Sequence, residues 1–229
     1  MARRLGRWAG VLALALLAGC TTFDPVEDEP VTVEYLALGD SYTIGEAVEV
    51  VERWPMQLAE RLRTAGYTVE EPMIVAETGW TTDELDEGIT RAGVRRAYNL
   101  VSLLIGVNNQ FRGQSIDDYR ITFRDLLQRA IGFAQDDASR VFVVSIPDYG
   151  NTPFGADDAE RIGRELDAFN AVSVDEARQA GVAYVSITAI SRQPYADWVA
   201  SDALHPSGAQ YAAWVDAIEP VVLDLLRAR

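Results

Sequence analysis

Among its 229 residues the sequence has no lysine, one histidine and one cysteine. Without lysine there can be no Schiff base on a lysine amine, and all 20 basic residues are arginines. A single cysteine, Cys20, cannot form a disulfide within the chain. A single histidine, His205, leaves no His-rich site for zinc or iron. Any reaction that needs an imidazole must use His205. Basic charge is also scarce: 35 acidic residues against 20 basic ones give a formal net charge of −15. That excess argues against a nucleic-acid partner, whose phosphates are held mainly by Lys and Arg. The apolar run from Trp8 to Gly19 is shorter than the roughly 20 residues that span a bilayer. What remains, 48% hydrophobic and 24% charged, is the composition of a folded globular protein.

Three arginines precede the apolar run, which is the plan of a secretory signal peptide over residues 1–19. Leu17-Ala18-Gly19-Cys20 resembles the lipobox of bacterial lipoproteins, in which the chain is cut before a lipidated cysteine. The resemblance implies a lipid on Cys20 and a place in the bacterial cell envelope. Such a lipid anchors the protein without a transmembrane helix, at about 0.8 kcal/mol per buried methylene. Loss of residues 1–19 with their three arginines would take the formal charge from −15 to −18. Residues 20–30, with two prolines and four acids after the cysteine, read as a flexible tether. Residues 31–229 fit one domain, expected to be monomeric.

Within that domain short apolar runs alternate with amphipathic stretches. The strand candidates are Val31–Leu38, Met73–Ala76, Leu100–Ile105, Val141–Ile146 and Val182–Ile187, rich in Val, Ile and Leu as doubly buried strands are. Helical patterns cover Trp54–Ala65, Leu85–Ala97 (after a Thr81…Glu84 capping box) and Ile116–Phe133 after Ser115. Another carries Ile162, Leu166, Phe169 and Val172. The last starts near Ser207, with Ser207…Gln210 as a second capping box, and is expected to bury Tyr211, Trp214, Ile218 and Leu225. Pro220 should kink or divide it. The alternation predicts an α/β fold, a parallel sheet with helices on both faces. Ligands then bind beyond the carboxyl ends of the strands.

Polar residues follow those strand ends. Gly39-Asp40-Ser41-Tyr42 follows the first, Glu77-Thr78-Gly79-Trp80 the second, and Gly106-Val107-Asn108-Asn109 the third. Pro147-Asp148-Tyr149-Gly150 follows the fourth, and the fifth leads on to Asp202-Ala203-Leu204-His205-Pro206. Each alone is also an ordinary turn or strand exit. Together they fit ester hydrolysis, which needs a hydroxyl nucleophile, a base beside it and a group to orient the base. Ser41 supplies the hydroxyl, and His205 is the one imidazole. Asp202, three residues earlier, can reach Nδ1 on a tight turn. Backbone N–H groups of Ser41 and Gly79 with the Asn108 amide supply three oxyanion donors; losing one such donor costs about 2.7–4 kcal/mol.

This pattern resembles the SGNH hydrolases, or GDSL esterase/lipase family, whose four blocks contain Ser, Gly, Asn and His. Ser41, Gly79, Asn108 and His205 match them in order, and Asp202 matches the Asp three residues before the His. The resemblance implies a flavodoxin-like three-layer α/β/α sandwich with a five-stranded parallel sheet, no cofactor, and Ser-His-Asp acyl transfer. Two positions depart from the family pattern. Asn109 stands where Asp is common, and its amide can still hold the loop by hydrogen bonds. Tyr42 stands where Leu is common, altering the packing beneath Ser41 or one wall of the cleft.

The substrate is less legible. Trp80 can stack on a sugar, cap an acyl pocket or close the rim of the core. Gln110 and Arg112 are placed for a substrate oxygen or for the surface. Tyr42, Asn109, Tyr149 and Phe154 complete the candidate substrate-lining set. The acidic charge leans toward neutral esters. Small or carbohydrate-linked acyl esters, such as acetyl esters, are the first expectation. A lipase, lysophospholipase or thioesterase on longer chains is the alternative. A glycan-binding surface lipoprotein without catalysis is the least favoured, because binding alone needs no Ser paired with a base.

Overall fold

The computed structural model describes residues 32–94, 97–194 and 197–228. The expected signal peptide over 1–19, Cys20 and the tether over 20–30 lie outside the described residues, as does Val31. In chain order the first elements are β1 (Thr32–Val33), β2 (Tyr35–Gly39), α1 (Ser41–Ile44), α2 (Trp54–Thr64), β3 (Thr68–Val69), β4 (Met73–Ala76) and α3 (Thr82–Ala92). Then come β5 (Leu100–Leu104), α4 (Val107–Phe111), α5 (Ile116–Phe133), β6 (Val141–Val144), α6 (Ala159–Ala180), β7 (Ala183–Val185), α7 (Thr188–Ser191) and α8 (Gly208–Arg227).

Five strands pair in parallel in the order β4-β2-β5-β6-β7, with Leu38 opposite both Val75 and Leu103. Every residue of β2, β5 and β6 is buried, which explains their unbroken apolar reading. α2 packs on α8, α5 packs on α3 and α6, and the two groups flank the sheet as the expected three layers. Trp54 is wholly buried at the start of α2 and anchors it. A two-residue parallel pair, β1 with β3, adds a small second sheet that no pattern announced. It divides the first expected strand in two, at Glu34.

The chain leaves β2 for its outer neighbour β4, then crosses back to β5 on the other side of β2. The carboxyl ends of β2 and β5 therefore flank the point where the winding reverses, which is where such sheets open a crevice. Gly39 ends β2 there. A Cβ on it would lie 2.2 Å from Thr43 Oγ1 and 2.5 Å from the Leu104 carbonyl oxygen, so glycine lets α1 turn back tightly over the sheet edge.

The helix termini follow their local chemistry, with three differences from expectation. The N–H of Thr81 donates to the Glu84 carboxylate at 2.9 Å, and that of Asp118 donates to Ser115 Oγ at 3.1 Å, as capping requires. α3 ends at Ala92 and not at Ala97, because Gly93 takes φ 63° and caps it in the left-handed conformation. At Ser207 only half of a capping box forms: Ser207 Oγ accepts from the Gln210 N–H at 3.3 Å, whereas the Gln210 side chain donates to the Trp198 carbonyl at 2.8 Å. α8 also runs unbroken through Pro220. Pro220 and Asp216, whose carbonyl loses its helical donor, are both on the exposed side, while Tyr211, Trp214, Val215, Ile218, Val222 and Leu226 hold both halves down. Leu226 is buried where Leu225 was expected.

Candidate active site

At the crevice a cleft of ≈ 200 Å³ is lined by Ser41, Tyr42, Thr78, Gly79, Val107, Asn108, Phe111, Tyr149, Phe154, Leu204 and His205. The loops after β2, β4, β5 and β6 and the turn before α8 each contribute. Ser41 is the first residue of α1, directly after the Asp40 cap, so its side chain emerges at the end of the buried strand β2.

The 202–205 turn is built for its histidine. Asp202 Oδ2 lies 2.6 Å from His205 Nδ1. Asp202 Oδ1 accepts the N–H groups of Leu204 at 3.0 Å and His205 at 2.9 Å. Burial pushes the Asp202 carboxyl up, but the imidazole and these two N–H groups outweigh it and hold it below its usual range. The turn forces Ala203 to φ 66°, a conformation that costs a non-glycine residue about 1–2 kcal/mol. Surrounding bonds keep it there. Ala200 N–H donates to the His205 carbonyl at 2.7 Å, Phe154 N–H to the Ala203 carbonyl at 3.1 Å, and Ser207 N–H to the Trp198 carbonyl at 2.9 Å. Tyr42 packs edge-on under the imidazole, with ring centroids 5.7 Å apart, and rests in turn on Trp214 at 6.2 Å. The Leu-to-Tyr departure thus supports the imidazole from below as well as lining the cleft.

Two of the three expected oxyanion donors, Gly79 and Asn108, sit on neighbouring segments tied to each other. Asn108 Nδ2 donates to the Trp80 carbonyl at 3.0 Å, which fixes the amide with a second N–H still to offer. Gly79 takes φ 87°, and the Arg112 guanidinium donates to its carbonyl oxygen. Arg112 also pairs with Glu84 at 2.9 Å. Thr78 Oγ1 donates to Glu46. The Gly79 loop is therefore held from three sides.

Asp40 is wholly buried behind Ser41. One carboxylate oxygen accepts the Tyr42 N–H at 3.0 Å, and the other has no hydrogen-bond partner among the described residues. Burial pushes its pKa up to about 7 despite the hydrogen bond from Tyr42.

Ser41, Gly79, Asn108, His205, Tyr42, Tyr149 and Phe154 line the cleft where the sequence put them, and Asp202 stands behind His205. Four further candidates belong elsewhere. Trp80 turns away to lie on α3, where only the missing Cβ of Gly88 admits its ring, and the Arg91 guanidinium lies 5.6 Å over that ring. Asn109 is fully buried. It accepts from Thr82 N–H at 3.2 Å and donates to Thr82 Oγ1 and Gln114 Oε1, each at 2.7 Å, so it knits loops together and touches no cleft. Arg112 holds the Gly79 carbonyl and is not part of the cleft lining. Gln110 is buried between Tyr149 and Glu165. The sequence reading missed Thr78, Val107, Phe111 and Leu204. Val107 and Phe111 bracket the short helix α4, which had read as a strand-exit loop. Among the described residues no group of three or more His, Cys, Asp or Glu side chains is placed to hold a metal ion.

Residues 37–213 match the model of the GDSL-like lipase/acylhydrolase family. No curated protein matches the chain in sequence. Among solved structures, that of TesA superposes with a TM-score of 0.67 at 19% identity, covering 85% of this chain and 99% of its own. Axe2, an acetylxylan esterase from Geobacillus stearothermophilus, gives a TM-score of 0.67 at 17% identity over 83% of this chain and 94% of that one. The psychrotrophic esterase EstA from Pseudoalteromonas sp. gives 0.62 at 15% over 86% and 98%.

Proposed function

The chain belongs to the GDSL-like lipase/acylhydrolase family and is a carboxylic ester hydrolase, and from that premise we propose that Ser41, His205 and Asp202 cleave uncharged acyl esters through an acyl-enzyme. The observation that carries the reading is the shared cleft of Ser41 and His205, with Asp202 fixed on the far nitrogen of the imidazole. Ser41 Oγ attacks the ester carbonyl carbon while His205 Nε2 takes the hydroxyl proton. Asp202 keeps the proton of Nδ1 in place and stabilises the imidazolium. The N–H groups of Ser41 and Gly79 and the Asn108 amide receive the oxyanion. The alcohol leaves with the proton from His205, and water repeats the sequence to release the acid. Ser41→Ala is expected to abolish turnover of p-nitrophenyl acetate with the fold intact by circular dichroism. Retained turnover would sink the proposal.

Small and carbohydrate-linked acyl esters are the first substrate candidates, a choice supported by the acetylxylan esterase among the structural relatives. A second reading, esters with a longer apolar group, is favoured by the apolar lining from Val107, Phe111, Tyr149, Phe154 and Leu204. We further place the enzyme at the bacterial cell envelope through a lipid on Cys20, on the strength of the Leu17–Cys20 motif. Radiolabelled palmitate should enter the wild-type chain and not Cys20→Ala.

A further inference from the structure

We propose that Phe111, Tyr149 and Phe154 form a hydrocarbon subsite that takes an alkyl chain of the ester, so that the substrate class is alkyl-chain esters and not glycan esters. The proposal rests on the serine-esterase reading above and decides between its two substrate candidates. The three ring centroids lie 6.2 Å from one another in every pairing, an aromatic wall on one side of the cleft. Phe111 is 58% exposed and Phe154 55%. Among the described residues the other large hydrophobic side chains that are exposed are aliphatic (Val50, Val51, Ile121 and Val174), so the two exposed aromatic rings both stand at the cleft mouth. Contiguous apolar surface held open to water in this way marks a binding surface.

The wall is tied to the reacting groups at both ends. Phe111 closes the helix that begins with Val107 and Asn108, so it is fixed relative to the oxyanion donor. Phe154 donates its N–H to the Ala203 carbonyl at 3.1 Å, which fixes it relative to the turn that carries His205. Tyr149 sends its hydroxyl to Gln110 Oε1 at 3.0 Å and is otherwise buried, leaving an apolar ring in the lining. The polar members of the cleft are already committed. Ser41, Gly79, Asn108 and His205 serve the ester carbon and its oxygen, and Thr78 donates to Glu46. A sugar stacked on this wall would keep its hydroxyls in water and find no uncommitted polar side chain in the cleft lining to select it. A methylene laid there gains up to about fourfold in binding, less where the rings stay open to solvent.

The chain can come from the acyl group or from the alcohol, and two substrate series on the full chain separate the sources. One is p-nitrophenyl esters from acetate to octanoate; the other is acetates of n-alcohols from ethanol to octanol. An acetylated xylooligosaccharide completes the panel. In one of the two series kcat/KM should climb about two- to fourfold per methylene over the first four, then level off as the chain passes the exposed rings. A rise in the first series places the acyl chain on the wall, and a rise in the second places the alcohol there. In Phe111→Ala and Phe154→Ala the ratio of kcat/KM for the six-carbon over the two-carbon member should fall about tenfold, and in the Leu variants by less. Flat or falling series in both arms would overturn the proposal, as would slopes unchanged in the variants or preference for the acetylated sugar. In those cases turnover persists and the esterase reading stands; no turnover of any ester by the wild-type chain would instead remove that reading and this one with it.

Discussion

His205 Nδ1 lies 2.6 Å from Asp202 Oδ2, while the other oxygen of the same carboxylate accepts two backbone N–H groups of the turn that carries the histidine. One side chain thus builds the turn and orients the base. Asp202→Asn can keep the turn, since an amide oxygen still accepts the N–H groups, but it cannot keep a proton donor on Nδ1. The expected result is a loss in kcat on the order of 10⁴-fold, with little change in melting temperature. Asp202→Ala should lose both. An Asn variant with near-wild-type kcat would show that Asp202 serves the turn alone.

Arg112 joins the Gly79 carbonyl to Glu84, and under the proposed mechanism it acts on catalysis through the loop that carries the Gly79 N–H. Loosening that loop misplaces a donor that matters in the transition state more than in the ground state. Arg112→Ala should lower kcat by about tenfold or more and leave KM nearly unchanged, and Arg112→Lys should recover part of the loss. A rise in KM at constant kcat would point instead to contact with the substrate.

Asp40 makes stability depend on pH in the direction opposite to a salt-bridged carboxylate. Its pKa is pushed up to about 7 in the folded chain from 3.8. Between those values the folded state holds a proton that the unfolded state has lost, so the contribution of Asp40 to stability is full below about pH 4 and falls as pH rises toward 7. The difference of roughly three units corresponds to on the order of 4 kcal/mol. Urea unfolding from pH 4.5 to 8 should show the decline, and Asp40→Asn should flatten it. Parallel profiles for the two proteins would contradict the assignment.

The parallel sheet and most of the cleft's polar lining were legible because both leave local marks. β4 and α5 were read to the residue, since a buried strand is an apolar run and α5 carries an amphipathic stripe after a Ser cap. Ser41, Gly79 and Asn108 stood out in the segments that follow strands, and His205 as the one imidazole. Relations through space left no such mark. Arg112 was visible, but its partner is a carbonyl 33 residues away. Trp80 was visible too, yet its direction depends on the missing Cβ of Gly88. Phe111 and Leu204 carry no polar signal and sit on very short elements, so nothing in one dimension sets them apart from core residues. Pro220 shows packing overriding a local rule: the apolar face of α8 holds a helix that the proline alone would break.

The most direct test of the central claim is intact-mass analysis of the chain after exposure to a p-nitrophenyl alkylphosphonate, which traps an activated serine as its phosphonyl ester. One phosphonyl group per chain, mapped to the peptide containing Ser41 and absent from Ser41→Ala, is the predicted result. An adduct that forms equally in Ser41→Ala, or an unmodified wild-type chain that still hydrolyses esters, would contradict it.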